Sequence, residues 1–162
     1  MKRAAGFTLI ELMVTVAVMA VLAAAGMPFA LSWMDSNRQM QARNLMWEGV
    51  AQARAVALRN PGEAVAGQVS ARLERSNGML QVLRTGSDDA VWKSTPLPGG
   101  DASTFKLANA GGVASSDDWA CVAFDNRGHR VTAAGVVCAV NTSQTRIAVG
   151  FSNQDLLYVD LL

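Results

Sequence analysis

A long apolar run near the start of the chain limits what this protein can fold into. From Leu12 to Met34 there is no charged residue, and Val, Ala, Met and Leu dominate. An α-helix rises about 1.5 Å per residue, so a helix over this run just covers the roughly 30 Å hydrocarbon layer of a bilayer. Lys2 and Arg3 precede the run, and basic residues tend to stay on the cytoplasmic side. We therefore predict one membrane-spanning helix, with the rest of the chain on the far side.

The composition describes a chain that is part membrane-embedded and part globular. Its 162 residues suffice for one compact domain plus an extended segment. Charged residues make up 17% and apolar residues 51%, which is too polar for a multi-span membrane protein and poor in charge for a soluble one. The 14 basic and 13 acidic residues are scattered, with a net charge of +1. This distribution does not indicate a nucleic-acid-binding tail.

Glu11 places a carboxylate at the very start of the apolar run. An ionisable residue in mid-membrane costs about 2.5 to 3.5 kcal/mol, and somewhat less near an end, so Glu11 requires a partner. Two alternatives stay open. The segment Ala23 to Gly26 has the small residues of a secretory cleavage site, and a glutamate at the membrane edge can also extend to water.

The segment Gly6-Phe7-Thr8-Leu9-Ile10-Glu11-Leu12, behind a short basic leader, resembles the processing motif of type IV prepilins. The resemblance implies that the prepilin peptidase cuts between Gly6 and Phe7 and that the new N-terminus is methylated. It also implies a leader over residues 1–6, a membrane and filament-core helix over 7–34, and a periplasmic globular domain over 35–162. The apolar run then stays on the mature protein, whereas a secretory signal is discarded.

Cleavage after Gly6 creates a free ammonium group on Phe7, and this group can serve as the partner of Glu11. In a filament of staggered helices, Glu11 of one subunit meets the Phe7 amine of its neighbour. Removing one member of a buried ion pair costs about 3 to 5 kcal/mol, because the other is left buried and alone. We therefore expect Glu11 and Phe7 to set the register of filament assembly.

Beyond the apolar run the pattern predicts that the helix continues into the domain. Gly26 and Pro28 predict a kink or local melting. Helical periodicity resumes from Ser36 to Arg59, and Asn60-Pro61-Gly62 ends it. The residues expected to face a sheet recur at helical spacing and are Ala42, Leu45, Met46, Ala53, Val56 and Ala57.

The remainder of the sequence alternates apolar and polar residues over short runs, which is typical of strands. Ser76-Asn77-Gly78 predicts a hairpin turn, 125–128 another turn, and Pro96 to Asp101 a loop. A helix followed only by strands predicts an α+β domain, a pilin-like fold in which the long N-terminal helix packs on an antiparallel sheet. The predicted strands cover residues 65–73, 79–84, 90–93, 119–124, 130–140, 146–152 and 156–161.

The two cysteines, Cys121 and Cys138, are expected to form a disulfide if the domain lies outside the cytoplasm. They lack a Cys-x-x-Cys arrangement or a His-rich companion, so a metal site is not indicated. A disulfide closing a loop of about this size contributes about 3 kcal/mol. It would join the two strands predicted on either side of the 125–128 turn.

Catalytic chemistry is not predicted. His129 is the one histidine and has Asp125 nearby in sequence, but no nucleophile motif accompanies them, so we interpret His129 as a polar turn residue. The glycine pairs lack the Lys-Ser/Thr of a phosphate-binding loop, and the aspartate pair Asp88-Asp89 lacks the regular ligand spacing of a calcium loop. We expect no catalytic residue, no metal, no cofactor and no enzymatic activity.

Within the pilin-like families, Ala53 to Ala57, Trp92 and Val122 to Gly128 resemble the GspH/FimT-like group. That resemblance implies a minor type IV pilin that helps to initiate, prime or cap a pilus. The alternative is a minor pseudopilin of a type II secretion system. The implied partners are other minor pilins or pseudopilins, the major pilin, the prepilin peptidase, the inner-membrane assembly platform and membrane lipid. The implied location is the bacterial inner membrane, single-pass, and then a cell-surface filament.

A third hypothesis is a DNA-binding minor pilin for natural transformation. Phosphate contacts need clustered Lys or Arg at an exposed end. The segment Asn153 to Leu162 carries Asp155 and Asp160 and no basic residue, so DNA is not an expected partner. A patch of Arg127, Arg130 and Arg146 is the remaining basis for this hypothesis.

Overall fold

The computed structural model describes residues 6–100, 103–132, 138 and 144–161. The chain divides into two compact units, one ending at Met34 and the other covering Asp35–Leu162. The described elements are one helix and nine strands, so the predicted α+β class is confirmed. They are α1 (Leu9–Arg59), β1 (Ala71–Ser76), β2 (Met79–Arg84), β3 (Ala90–Lys93), β4 (Ser103–Asn109), β5 (Ala114–Asp118), β6 (Cys121–Phe124), β7 (Arg130–Val131), β8 (Gln144–Phe151) and β9 (Leu157–Asp160).

In the first unit, the part of α1 before Asp35 is exposed along its whole length. Over its most apolar 18 residues α1 has a mean hydropathy of 2.3, which by length and composition is enough to cross a membrane. The helix continues without a break through Gly26 and Pro28, so the predicted local melting there is wrong. A proline removes a single backbone donor, and the Ala, Leu and Met residues around it favour the helix strongly enough to continue it.

In the second unit, α1 buries one face, and all but one of the predicted core residues on it are fully buried. Leu45 is partly buried and packs against the core. The helix ends where predicted, because Asn60 adopts a left-handed conformation with φ of 46° directly after Arg59. The buried helix residues are Gln39, Ala42, Met46, Gly49, Val50, Ala53, Val56 and Ala57.

The strands form two antiparallel sheets. The first has the order β3-β2-β1-β6-β7 and the second β5-β4-β8-β9. The predicted hairpin joins β1 to β2 with Ser76 opposite Met79. Asn77 and Gly78 between them have φ of 51° and 69°, the paired left-handed conformation of a type I′ turn. Because this turn fixes the register, Leu73 of β1 and Leu80 and Val82 of β2 point to the same face.

One hydrophobic core joins α1 to both sheets. Gly49 allows α1 to approach β1 closely, since a Cβ built there would lie 2.9 Å from Leu73 Cδ1. Trp119 is also buried and meets the Phe105 ring edge-on at 6.1 Å between centroids. The largest buried apolar side chains come from the helix and both sheets. They are Met46 on α1, Leu73, Leu80, Val82, Val122 and Phe124 on the first sheet, Phe105, Ile147, Val149 and Val159 on the second, and Leu161 just after β9.

Several strand predictions need correction. Residues 65–69 form a turn and irregular backbone instead of a strand. The Asn60 side chain bonds the backbone of Ala64 in both directions and fixes the start of this loop. Strand β6 begins at Cys121, two residues later than predicted. Strand β7 ends at Val131, and the rest of the strand predicted over 130–140 lies, apart from residues 132 and 138, outside the described residues. Strands β4 and β5 were not predicted.

Candidate functional site

The first turn of α1 is built around Thr8 and Glu11. The backbone N–H of Glu11 donates to the Thr8 hydroxyl at 3.3 Å, and the Thr8 backbone N–H donates to the Glu11 carboxylate at 3.4 Å. The Thr8 hydroxyl also donates to that carboxylate at 3.3 Å. This reciprocal pattern is a capping box, which satisfies backbone donors that have no partner within the helix. Glu11 therefore has a local hydrogen-bonding role that the sequence analysis missed, although the Thr-x-x-Glu spacing indicates it.

Gly6 lies outside the helix, and a Cβ built on it would meet no atom within 4 Å. A larger residue at position 6 is therefore compatible with the described structure. Phe7 follows with 76% of its side chain exposed. The cut between Gly6 and Phe7, and the pairing of the new Phe7 amine with Glu11 of a neighbouring subunit, stay predictions.

Polar side chains on the second part of α1 hold the β8–β9 hairpin. The buried Gln39 side chain, 3% exposed, donates from Nε2 to the backbone carbonyls of Val149 at 2.9 Å and Asp155 at 2.6 Å. Arg43 Nε donates to the Tyr158 carbonyl at 3.1 Å, and Arg54 donates to the Leu161 carbonyl at 2.5 Å. These side-chain to carbonyl hydrogen bonds fix the hairpin to the helix.

Cys121 and Cys138 are joined by a disulfide, with their Cα atoms 4.8 Å apart. Strand β6 is buried on both faces, so Val122 and Phe124 enter the main core while Cys121 and Ala123 face a second, smaller cluster. The disulfide lies in that cluster and so covers the outer face of the first sheet.

The Asp125 carboxylate bonds to the backbone of the β6–β7 turn that carries His129. The Asp125 carboxylate, in a residue only 4% exposed, accepts hydrogen bonds from the backbone N–H of Arg127 at 2.9 Å and of His129 at 2.8 Å. Burial alone would raise the pKa of the Asp125 carboxyl, but these two bonds and the charge of His129 lower it below its ordinary value. Asp125 therefore stabilises the β6–β7 turn, and the His129 side chain is exposed.

The same turn places two of the three predicted patch arginines together. Arg127 and Arg130 line a groove of about 390 Å³ with Arg54 and His129, which we call the basic groove, and its other lining residues are Leu58, Gly128 and Leu161. Arg146 is not part of it and pairs with Asp160 at 2.7 Å. Among the described residues, no group of three or more His, Cys, Asp or Glu side chains is arranged to hold a metal ion.

Comparison with known proteins finds a family match for the first part of the chain. The α+β architecture with its long N-terminal helix fits a pilin-like fold. Residues 1–27 match the family model of the prokaryotic N-terminal methylation motif, which is characteristic of type IV prepilin-like proteins. Neither the curated proteins nor the solved structures gave a match.

The motif supports a type IV pilin or pseudopilin in general, a structural protein rather than a member of a known enzyme family. It implies processing by the prepilin peptidase and assembly with other pilins. Together with the apolar helix, it indicates membrane anchoring.

Proposed function

We propose that the protein is a minor type IV pilin of the GspH/FimT-like group that helps to initiate, prime or cap a pilus. One observation carries this proposal. The methylation motif, residues 1–27, includes the start of α1, and every residue from Phe7 to Met34 in this apolar part of the chain is exposed. This combination suits a subunit that keeps its apolar helix after processing and uses it to polymerise.

The exposed helix requires an apolar environment at every stage. Lipid provides it before assembly, and a bundle of equally apolar helices provides it in a filament. Transfer from lipid to the bundle brings little hydrophobic gain, so helix packing and the Glu11 to Phe7 ion pair have to provide the specificity. The exposed position of Glu11 in its own capping box leaves its carboxylate accessible to such a partner.

The proposed topology is a single pass with the second unit in the periplasm. Lys2 and Arg3 favour a cytoplasmic N-terminus. The Cys121 to Cys138 disulfide supports an oxidising compartment for the domain, since such bonds persist in the periplasm and are rare in the cytosol. The proposed domains are the leader over 1–6, the membrane and filament-core helix over 7–34, and the periplasmic domain over 35–162.

A minor pseudopilin of a type II secretion system would have the same anchor and nearly the same fold. The genes beside this one distinguish the two, because major pilin genes and secretion ATPase genes belong to different operons. DNA uptake has less support, since the structure separates Arg146 from the other two arginines of the predicted patch.

Substitution of Gly6 tests the proposal, with Gly26 as a matched control. A Cβ built on either glycine meets no atom within 4 Å, so neither Gly6→Leu nor Gly26→Leu should disturb the fold. We expect Gly6→Leu to accumulate as an uncut precursor that is absent from sheared pili, while Gly26→Leu is processed normally. Normal processing and piliation of Gly6→Leu would disprove the proposed function.

A further inference from the structure

The basic groove concentrates positive charge at a place that has apolar walls. Arg54 and Leu58 come from the last turns of α1, Arg127 and His129 from the β6–β7 turn, and Arg130 from β7. Leu161, just after β9, also lines the groove. Three guanidinium groups and an imidazole therefore share about 390 Å³, and the described lining contains no Asp or Glu.

Two of these guanidinium groups are partly withdrawn from water. The Arg54 side chain donates to the Leu161 carbonyl and lies over the Phe124 ring at 5.3 Å from its centroid. Arg130 donates to the Gln144 carbonyl. Burial lowers the pKa of Arg54. The pKa of Arg130 is also lowered, mainly by burial and to a smaller extent by the nearby charge of Arg54. Two like charges thus lie close together, and an anion between them would relieve their repulsion.

Two arginines elsewhere in the domain pair with a carboxylate. Arg72 pairs with Glu74 at 3.0 Å, and Arg146 pairs with Asp160 at 2.7 Å. In the basic groove, Arg127 forms no hydrogen bond or ion pair from its side chain to any residue the structure describes. Arg59 already provides a basic residue in the last turn of α1, so compensation of the helix dipole does not require the groove arginines.

We propose that the basic groove receives a carboxylate presented by an acidic segment of another protein subunit. Arginine binds a carboxylate through two parallel N–H donors, and this bond is stronger where water is partly excluded. Leu58, with 60% of its side chain exposed, and Leu161 offer apolar contact to a neighbouring side chain of the same segment. The expected ligand is an Asp or Glu flanked by an apolar residue.

The charge balance favours an acidic peptide over a nucleic acid. Two of the 14 basic residues and one of the 13 acidic residues precede Asp35, which leaves twelve of each from there onward. A neutral domain does not attract a polyanion at long range, and one short groove offers few phosphate contacts. A single carboxylate, in contrast, can be bound by the arginines of the basic groove alone.

The one histidine of the chain gives a site-specific test, because a spectrum of isotope-labelled histidine reports on His129 alone. The full-length protein, without a histidine tag, is titrated in a neutral detergent with the peptide acetyl-Leu-Asp-Asp-Leu-amide. The matched probe is acetyl-Leu-Asn-Asn-Leu-amide, which has the same shape and no charge. We expect a saturable shift of the His129 signal with the first peptide and none with the second.

Variants separate binding from general charge effects. Arg127 is exposed, so Arg127→Gln should fold normally. We expect this substitution to lower the affinity for the acidic peptide about tenfold, which corresponds to the loss of one charge-assisted hydrogen bond. The control Lys93→Gln should leave the affinity unchanged, because β3 and β7 lie at opposite edges of the first sheet.

Equal shifts with both peptides, or an unchanged affinity in Arg127→Gln, would overturn the proposal. Tighter binding of a single-stranded oligothymidine than of the acidic peptide would also overturn it and assign the groove to nucleic acid. The identification of the partner as a subunit rests on the proposed function, whereas peptide binding does not. The uncut Gly6→Leu variant should bind the peptide like wild type, so failure of processing and failure of this groove can be told apart.

Discussion

Thr8 and Glu11 bond to each other in both directions at the start of α1, with the Glu11 N–H donating to the Thr8 hydroxyl and the Thr8 N–H donating to the Glu11 carboxylate. A glutamate at the head of an apolar helix thus has a structural role within one subunit. The proposed ion pair with the Phe7 amine of a neighbour would use the same carboxylate. The two roles require different properties, since capping needs only an acceptor oxygen and the ion pair needs a charge.

Glu11→Gln separates these two roles. The amide keeps an oxygen that accepts from Thr8, so the helix start should lose well under about 1 kcal/mol. The charge is gone, so we expect processed protein that fails to enter filaments. Mass spectrometry measures the processing, and immunoblots of sheared filaments measure the assembly. The control is Glu48→Gln, an exposed glutamate on the same helix. Normal filament incorporation of Glu11→Gln would contradict the ion-pair model.

Gln39→Leu should destabilise the second unit. The substitution keeps the side chain roughly the same size and leaves the Val149 and Asp155 carbonyls without the donor they now share. We expect the free energy of unfolding to fall by about 2 to 4 kcal/mol. A urea titration in detergent, monitored by tryptophan fluorescence, measures this loss. Gln41→Leu, at an exposed position of the same helix, should change stability by less than about 0.5 kcal/mol. Similar values for the two variants would show that Gln39 does not hold the hairpin.

Removal of the disulfide should lower stability without abolishing the main core. The bond links residues 17 apart in sequence and lies in the smaller cluster, outside the core that α1 shares with the sheets. For Cys121→Ser with Cys138→Ser we expect a loss of about 3 kcal/mol. The midpoint of thermal unfolding measures it. Addition of a reductant should lower the midpoint of wild type toward that of the double variant and leave the variant unchanged. A wild-type midpoint insensitive to complete reduction would contradict this.

Asp125 should give the domain a specific dependence on pH. A carboxyl whose folded-state pKa is lowered contributes stability above its unfolded pKa of about 4, and this contribution is lost as the pH falls through the folded-state pKa. The pKa of Asp125 is lowered in this way. We therefore expect Asp125→Asn to be less stable than wild type at pH 7 and the difference to shrink below pH 4. The exposed Asp89→Asn is the control and should match wild type throughout. A difference that stays constant from pH 7 to pH 3 would contradict this assignment.

Local signals made much of the fold predictable. The helix face through Ala42, Met46 and Ala53 follows from periodicity, and the β1–β2 hairpin follows from Asn77-Gly78. Both are set by residues close in sequence, which is why a single sequence is enough to find them.

The missed elements depend on partners distant in sequence. Strand β5, Ala114–Asp118, is short and polar and forms by pairing with β4. Strand β4 does alternate between buried and more exposed residues, with Phe105 and Leu107 buried, but the glycine-rich loops on either side make this pattern hard to recognise in the sequence. It pairs with β8, about forty residues later in the chain. The division into two sheets has no local signature at all.

The candidate sites divide in the same way. The Cys121 to Cys138 pair could be located from sequence. Gly6, Phe7 and Glu11 belong to one short motif within the matched residues 1–27, and their roles stay predictions. The basic groove could not, because Arg54 on α1 and Arg130 on β7 come together only through packing of the helix end against the β6–β7 turn. The predicted arginine patch was therefore only partly right.

The mass of the mature N-terminal peptide, from wild-type protein extracted from membranes, tests the central claim most directly. The claim is that the chain keeps its apolar helix and loses only the residues before Phe7. Tandem mass spectrometry should find an N-terminal peptide that begins at Phe7 and carries a methyl group on its amine. A mature chain that begins near Gly26, or one that retains Met1, would contradict the account.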